Sequence, residues 1–195
     1  TLALADCLSR SGDPAAAREL LAGSGRIVPW TLIGPFGRFP DLDLYREMPP
    51  ERGELSVADA APGPDGLPPF RVDTTFADGR PVVPPQFRTT GVVFAVADLV
   101  AESATTVRAR VMSPASFRVF VDGREALAAD RARERPADAL AFRLQLAPGR
   151  HRLLVKLTNS ARFTPLSVAL EPAADSVRAV PVAGEARGES RAEPA

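Results

Sequence analysis

The stretch SFRVFVDG, Ser116 to Gly123, decides how the chain is read. Phe117, Val119 and Val121 alternate with Arg118, Phe120 and Asp122, the two-residue period of a strand that turns one face to a core. Asp122-Gly123 then signals a hairpin, because glycine accepts the positive φ that a tight turn requires. Upstream, TTVRARVMS repeats the pattern, with Val107, Ala109 and Val111 on one face and Arg108 and Arg110 on the other. Downstream, Leu140, Phe142, Leu144 and Leu146 line one face of LAFRLQL. Ala147-Pro148-Gly149 turns the chain into HRLLVKL, and PLSVALE closes the series. Short strands at intervals of about ten residues, separated by turn residues, indicate an antiparallel sandwich or barrel. The clean alternation predicts one buried face for each sheet.

The first 25 residues speak a different language. Leu4, Cys7 and Leu8, then Ala17, Leu20 and Leu21, recur at helical spacing. Ser-Gly-Asp-Pro interrupts them, with Asp13 placed as N-cap and Pro14 at the first helical position. Gly23 and Gly25 end the second helix. Two helices of about ten residues do not bury their apolar faces alone, so this hairpin must rest on other structure. Cys7 falls on its apolar side and reads as a buried, inert thiol. At the other end, residues 173–195 turn to Ala, Glu, Arg, Gly and Pro and read as a largely disordered tail. Val177, Val180 and Val182 are the exception and suit an edge strand. Residues 49–69, rich in proline, read as an extended loop.

Composition excludes more than it identifies. The chain of 195 residues can build one good core without a staple. Its 24 basic and 24 acidic residues cancel, which argues against nucleic acid and anionic membrane as partners. Lys156 is the only lysine, and with abundant Ala and Pro this bias reads as a GC-rich bacterial genome. The one cysteine allows no internal disulfide. No apolar run approaches the roughly 20 residues of a membrane helix. The chain begins at Thr1 without a signal peptide and is expected to be a piece of a longer polypeptide. Compartment is not readable from these residues.

Several motifs occur in a recognisable order: W-T-L-I-G-P-F at Trp30 to Phe36, P-P-E at Pro49 to Glu51, F-R-V-F-V-D-G at Phe117 to Gly123, and L-x-P-G-x-H-x-L-L-V-K-L at Leu146 to Leu157. From about Ile27 to Pro172 the chain resembles the galactose-binding-like, jelly-roll β-sandwich modules of bacterial multidomain proteins. Some of those follow tetratricopeptide arrays beside transglutaminase-like domains, and others accompany glycoside hydrolases. The resemblance implies a mainly β, antiparallel jelly-roll sandwich over residues 26–172, with a helical hairpin at 1–25. The pattern LADCLSRSGDPAAARELL resembles the core of a tetratricopeptide repeat, and so marks a candidate end of such an array. A bacterial envelope or secreted setting is implied by the resemblance alone. The family pattern has Trp30 to Phe36 opening the sandwich, Val-Asp-Gly presenting a hairpin and Pro-Gly-x-His leading back into the sheet. Trp30, Gly34, Pro35, Phe36, Asp122, Gly123, Gly149 and Lys156 are expected to carry the framework. A second mid-domain Trp, frequent in such modules, is replaced here by Phe70, Phe76 and Phe87.

Each candidate site has a structural reading beside the functional one. Trp30, Phe36, Phe39 and Tyr45 suit a sugar-stacking platform, but mostly Phe rings favour a seal at the helix-to-sandwich junction, with Gly34-Pro35 and Gly37 turning Phe36 inward. Asp41, Asp43, Glu47, Glu51 and Glu54 offer oxygens for calcium, but without the EF-hand pattern they read as a solvated acidic loop. His151 is the only histidine and reads as exposed at a strand end, without the partners of a catalytic triad. Arg131, Arg133 and Arg135 are interleaved with acids and read as self-compensating. No phosphate loop, dinucleotide fingerprint or zinc spacing occurs, so no cofactor or metal is expected. The expected function is non-catalytic: a structural or protein-interaction unit joined to neighbouring domains or another protein, or alternatively a carbohydrate-binding accessory module. The surfaces expected to meet a ligand or partner are the hairpin at Asp122-Gly123, the loop bearing Arg131, Arg133 and Arg135, and the acids Asp41 and Asp43.

Overall fold

A computed structural model describes residues 2–57, 66, 68–75, 90–130, 139–160, 166–171 and 176–182. Helices α1 (Leu2–Arg10) and α2 (Pro14–Gly23) form the expected hairpin. The Asp13 carboxylate accepts the Ala16 N–H at 3.0 Å, capping α2. Ala5, Ala17, Leu21 and Val28 make a small core, with Leu8 and Leu20 beside them. Cys7 points the other way and is exposed, which corrects its expected burial.

Ten strands follow. β1 (Pro29–Phe36), β2 (Phe70–Thr75), β3 (Thr90–Ala101), β8 (Gly149–Ser160), β5 (Phe117–Val121) and β6 (Arg124–Ala129) form a sheet in the order β2-β1-β3-β8-β5-β6. β10 (Val177–Val180) also pairs with β3, beyond the reach of β1. A second sheet has the order β7-β4-β9, from β4 (Thr105–Met112), β7 (Leu140–Leu146) and β9 (Ser167–Glu171). All pairings are antiparallel, so the fold is a mainly β, antiparallel jelly-roll-type sandwich. The linker after α2 is bound to the second sheet, where the Ile27 N–H donates to Val168 O and the Leu170 N–H to Gly25 O.

The two sheets enclose one core, into which Trp30, Leu32, Val107, Phe117, Val119, Leu144, Leu153 and Val155 all project. A second core lies on the opposite face of the larger sheet, from Ile33, Phe36, Met48, Leu55, Val92, Phe94, Phe120 and Leu154. The larger sheet is therefore buried on both faces, contrary to the expectation of one. Its central strand, GVVFAVADLVA, shows why: a near-continuous apolar run suits a strand covered on both sides. The cover is the segment after β1, containing the short helix α3 (Pro40–Asp43) and a 3-10 turn at Pro49–Arg52.

A bulge in β1 makes this arrangement possible. Ile33 pairs with Phe94 and Phe36 with Val92, so three steps on β1 match two on β3. The extra residue, at Gly34-Pro35, moves Phe36 onto the face of Ile33 instead of that of Trp30. The expected ring cluster is thus divided. Trp30 lies between the sheets with its indole N–H donating to Ile27 O at 3.1 Å, while Phe36 packs edge-on against Phe94 in the second core. Val28, not Trp30, meets the helices. Phe39 and Tyr45 lie outside both cores.

The cover is tied down by charge. Lys156, fully buried, donates to Glu51 Oε2 at 2.8 Å and to Arg46 O, and its ammonium lies 5.6 Å from the Phe94 ring centroid. Glu51 also accepts the Met48 N–H at 2.8 Å. Nearby, Asp43 Oδ2 accepts the N–H groups of Arg38 and Phe39, each at 2.7 Å. That carboxylate stands where a Cβ on Gly37 (φ 69°) would have to go, so Gly37 has no room for a side chain. Asp43 and Glu51 are therefore interior anchors, which corrects the reading of a wholly solvated acidic loop; Asp41 is exposed.

Two outcomes are expected. Trp30→Ala should lower stability by about 3–5 kcal/mol, the usual range for a large core ring, seen as a lower urea midpoint. Glu51→Gln strands a buried ammonium and should cost about 3–5 kcal/mol, whereas Glu51→Leu combined with Lys156→Met should recover most of that loss.

Candidate functional site

The hairpin β5–β6 and the 3-10 turn approach one another on the outer face of the larger sheet. Asp122 (φ 50°) and Gly123 (φ 76°) make the two-residue loop, both in the left-handed region that such hairpins use. Between this loop and Pro50-Glu51-Arg52-Gly53 lies a hollow of 280 Å³, floored by Phe120 and Leu154 and bordered by Arg152. Strand pairing explains the floor: Phe120 is in register with Leu154 and Arg118 with Lys156.

The rim is held by a connected set of polar contacts. Asp122 Oδ1 accepts the Arg152 N–H at 2.8 Å, and Oδ2 lies 2.7 Å from His151 Nδ1. His151 Nε2 lies 2.8 Å from Ala147 O. Both neighbours of the imidazole are acceptors, so both ring nitrogens donate only when the ring is protonated. The hydrogen bond to Asp122 chiefly, with the Ala147 carbonyl and the Asp122 charge, raises the His151 pKa above its ordinary value, against a smaller opposing effect of burial. His151 is thus a half-buried staple, which corrects its reading as an exposed strand-end residue. Behind it, the buried Asp98 carboxylate binds Arg150 and Arg152, each at 3.1 Å. Burial pushes the Lys156 pKa down, opposed by its Glu51 partner.

A strip of rings and guanidinium leads away from the hollow. Arg118 lies 5.1 Å from the Phe120 ring centroid and 5.9 Å from that of Tyr45, and Glu125 holds it at Nε, 2.7 Å away. Tyr45 is 60 % exposed, and Phe39 and Leu42 on the same segment are 62 % and 73 % exposed. The Tyr45–Arg118–Phe120 ladder therefore joins an open aromatic surface to the floor of the hollow.

Of the residues singled out in the sequence, Asp122, Gly123 and Glu51 meet here, while Asp43 anchors the cover and Asp41 is exposed on it. Arg131, Arg133 and Arg135 lie outside the described residues, as do Phe76, Phe87 and the tail beyond Val182. Within the stretch read as tail, β10 extends the larger sheet and Val182 enters the second core. Arg52, Arg118, Phe120 and Arg152 were not singled out; the pairing of β5 with β8 brings Arg118 and Phe120 beside Arg152, and Arg52 comes from the 3-10 turn of the cover. Among the described residues no three of His, Cys, Asp and Glu converge as a metal site, and no helix is long and apolar enough to cross a membrane.

No family model matches the chain, and no curated protein matches it. Among solved structures it is similar to a family 35 carbohydrate binding module from an environmental isolate, with 12 % identity over 48 % of this chain and 72 % of that one, TM-score 0.35. It is also similar to a β-glucosidase from Kluyveromyces marxianus, with 10 % identity over 79 % of this chain, TM-score 0.48; it spans 19 % of that enzyme. A third is the epithelial adhesin 9 A domain from Candida glabrata in complex with Galb1-4GlcNAc, with 6 % identity over 79 % of this chain and 85 % of that one, TM-score 0.42. At these scores the likenesses assign no family.

The raised His151 pKa has a pH consequence. The folded state holds the proton more tightly than the unfolded chain, whose value is about 6.5, so the stabilisation is fully present below that pH. It is lost as pH rises through the higher folded value. Thermal unfolding of the wild type should therefore fall in midpoint across that window, and His151→Asn should remove this part of the slope.

Proposed function

We propose that the chain is a non-catalytic carbohydrate-binding β-sandwich module, and that the sugar lies along the strip from Tyr45 to the hollow beside Asp122. The observation that carries this reading is the combination of an apolar ring floor with a fixed charged rim. Sugars present apolar C–H faces that pack on rings, and hydroxyls that accept hydrogen bonds from guanidinium groups and donate them to carboxylates. Asp122 is held by His151 and the Arg152 N–H, and Arg152 by Asp98, so little side-chain freedom remains to be lost on binding. A hollow of 280 Å³ is just below the roughly 300–1,000 Å³ of drug-sized sites and suits one or two sugar rings. His151 faces two acceptors instead of a nucleophile, which supports a binding role over a catalytic one.

The exposed patch of Phe39, Leu42 and Tyr45 favours a second reading, in which the module packs against a neighbouring protein surface. A glycan array read at millimolar sensitivity, followed by NMR titration, separates the two. On the first reading at least one glycan binds, and Tyr45→Ala and Arg152→Gln each weaken it by about tenfold, equivalent to about 1.4 kcal/mol. Leu42→Asp leaves that binding intact. An array with no signal, or binding indifferent to Tyr45 and Arg152, overturns it in favour of the second.

A further inference from the structure

The outer face of the β7-β4-β9 sheet, on the opposite side of the sandwich, carries a charge pattern that its own packing does not explain. Arg108 and Arg110 point outward from β4 and Arg143 from β7, all exposed. Arg108 and Arg143 stand directly opposite one another in register. Like charges facing each other across an antiparallel pair destabilise it. The described residues supply one carboxylate on this face, Glu171 of β9; it stands opposite Arg108 in register but is engaged at 2.8 Å by Arg110. Among the described residues no carboxylate reaches ion-pair distance of Arg108 or Arg143. Arg26 joins the same face from the linker, donating to the Ser167 hydroxyl. In a chain with a formal net charge of zero, this is a local concentration of positive charge.

At one end of the face is a hollow of 220 Å³ bordered by Ser24, Arg26, Arg110, Met112, Ser167 and Glu171. Two guanidinium groups and two hydroxyls border it, beside Met112, Ala139, Ala169 and the Glu171 carboxylate, so donors that suit an acid group and free hydroxyls are at hand.

We propose that this face binds an acidic polysaccharide, with the arginine forks of Arg108, Arg110 and Arg143 gripping successive carboxylate or sulfate groups. Guanidinium recognises both anions through paired, parallel hydrogen bonds. Strand geometry spaces Arg108 and Arg110 by about 6.6 Å and sets Arg143 one strand away, about 4.8 Å across. The result is a flat cationic track suited to an extended chain. Other polyanions fit less well. The described part of the face has no aromatic ring on which a base would stack, and the sequence pI of about 6.5 is far from that of a nucleic-acid binder. Among the described residues Met112 is the only large apolar side chain exposed there, too little for the core of a protein interface. This surface is separate from the hollow beside Asp122, and its ligand does not depend on that site.

Affinity electrophoresis of the 195-residue chain tests the proposal. The gels contain polygalacturonate, dextran sulfate, neutral dextran or a single-stranded oligonucleotide. Retardation is expected in one or both acidic polysaccharides and not in neutral dextran, and it should weaken as salt rises. Retardation by one acidic polymer alone identifies carboxylate or sulfate as the group recognised, and supports the proposal either way. The Arg108→Gln, Arg143→Gln double variant should bind at least about tenfold more weakly, with an unfolding midpoint close to wild type, because a repulsion across β4–β7 and an attraction across β4–β9 are removed together. Glu171→Gln should bind more tightly. Absence of retardation in both acidic polymers, no change in the double variant, or equal retardation by the oligonucleotide would each overturn it.

Discussion

The arrangement of the outer face depends on one buried ammonium. Lys156 projects from the middle of the larger sheet into an apolar layer, where an unpaired charge would be severely disfavoured. Its position is tolerated because three acceptors converge on it: a carboxylate, a backbone carbonyl and the face of a phenyl ring. Two of them, Glu51 and Arg46 O, belong to the cover segment. Satisfying the charge therefore fixes where that segment crosses the sheet. The 3-10 turn is held as a consequence, and with it one wall of the hollow beside Asp122. An apolar pair of similar volume would pack as well, but it would lack the directional contacts that select one position for the cover.

The same economy of geometry appears in β1. A single extra residue in that strand sends Trp30 and Leu32 into one core and Ile33 and Phe36 into the other. One strand thereby joins three layers: the smaller sheet, the larger sheet and the cover. The Gly-Pro pair at the bulge is where the chain changes allegiance between the two sides.

The strands flanking the Asp122-Gly123 turn were legible because local chemistry alone determines them. Alternating apolar residues, a hairpin dipeptide and a Pro-Gly turn leave few alternatives over such short spans. The helical hairpin was legible for the same reason, through its Asp-Pro start. The second core was not. GVVFAVADLVA has no alternation to reveal it, and the acids that anchor the cover are chemically the same as solvated acids. Asp43 and Glu51 differ from Asp41 only in what the fold places above them. Likewise the orientation of Cys7 and the contacts of His151 depend on partners remote in sequence. The outer-face strip was half visible: Arg118 and Phe120 share a face by period, but their alignment with Arg152 and Leu154 is a matter of register between distant strands.

β3 has two neighbours along the same edge, β1 beside its first half and β10 beside its second. The β10 pairing extends over four residues, whereas β3 and β8 are joined over twelve. Tension transmitted through the chain beyond Val182 would therefore arrive first at the shortest seam of the sheet. Val177 of that strand lies in the core between the sheets and Val182 just beyond it lies in the second core, so its release would uncover both at one edge.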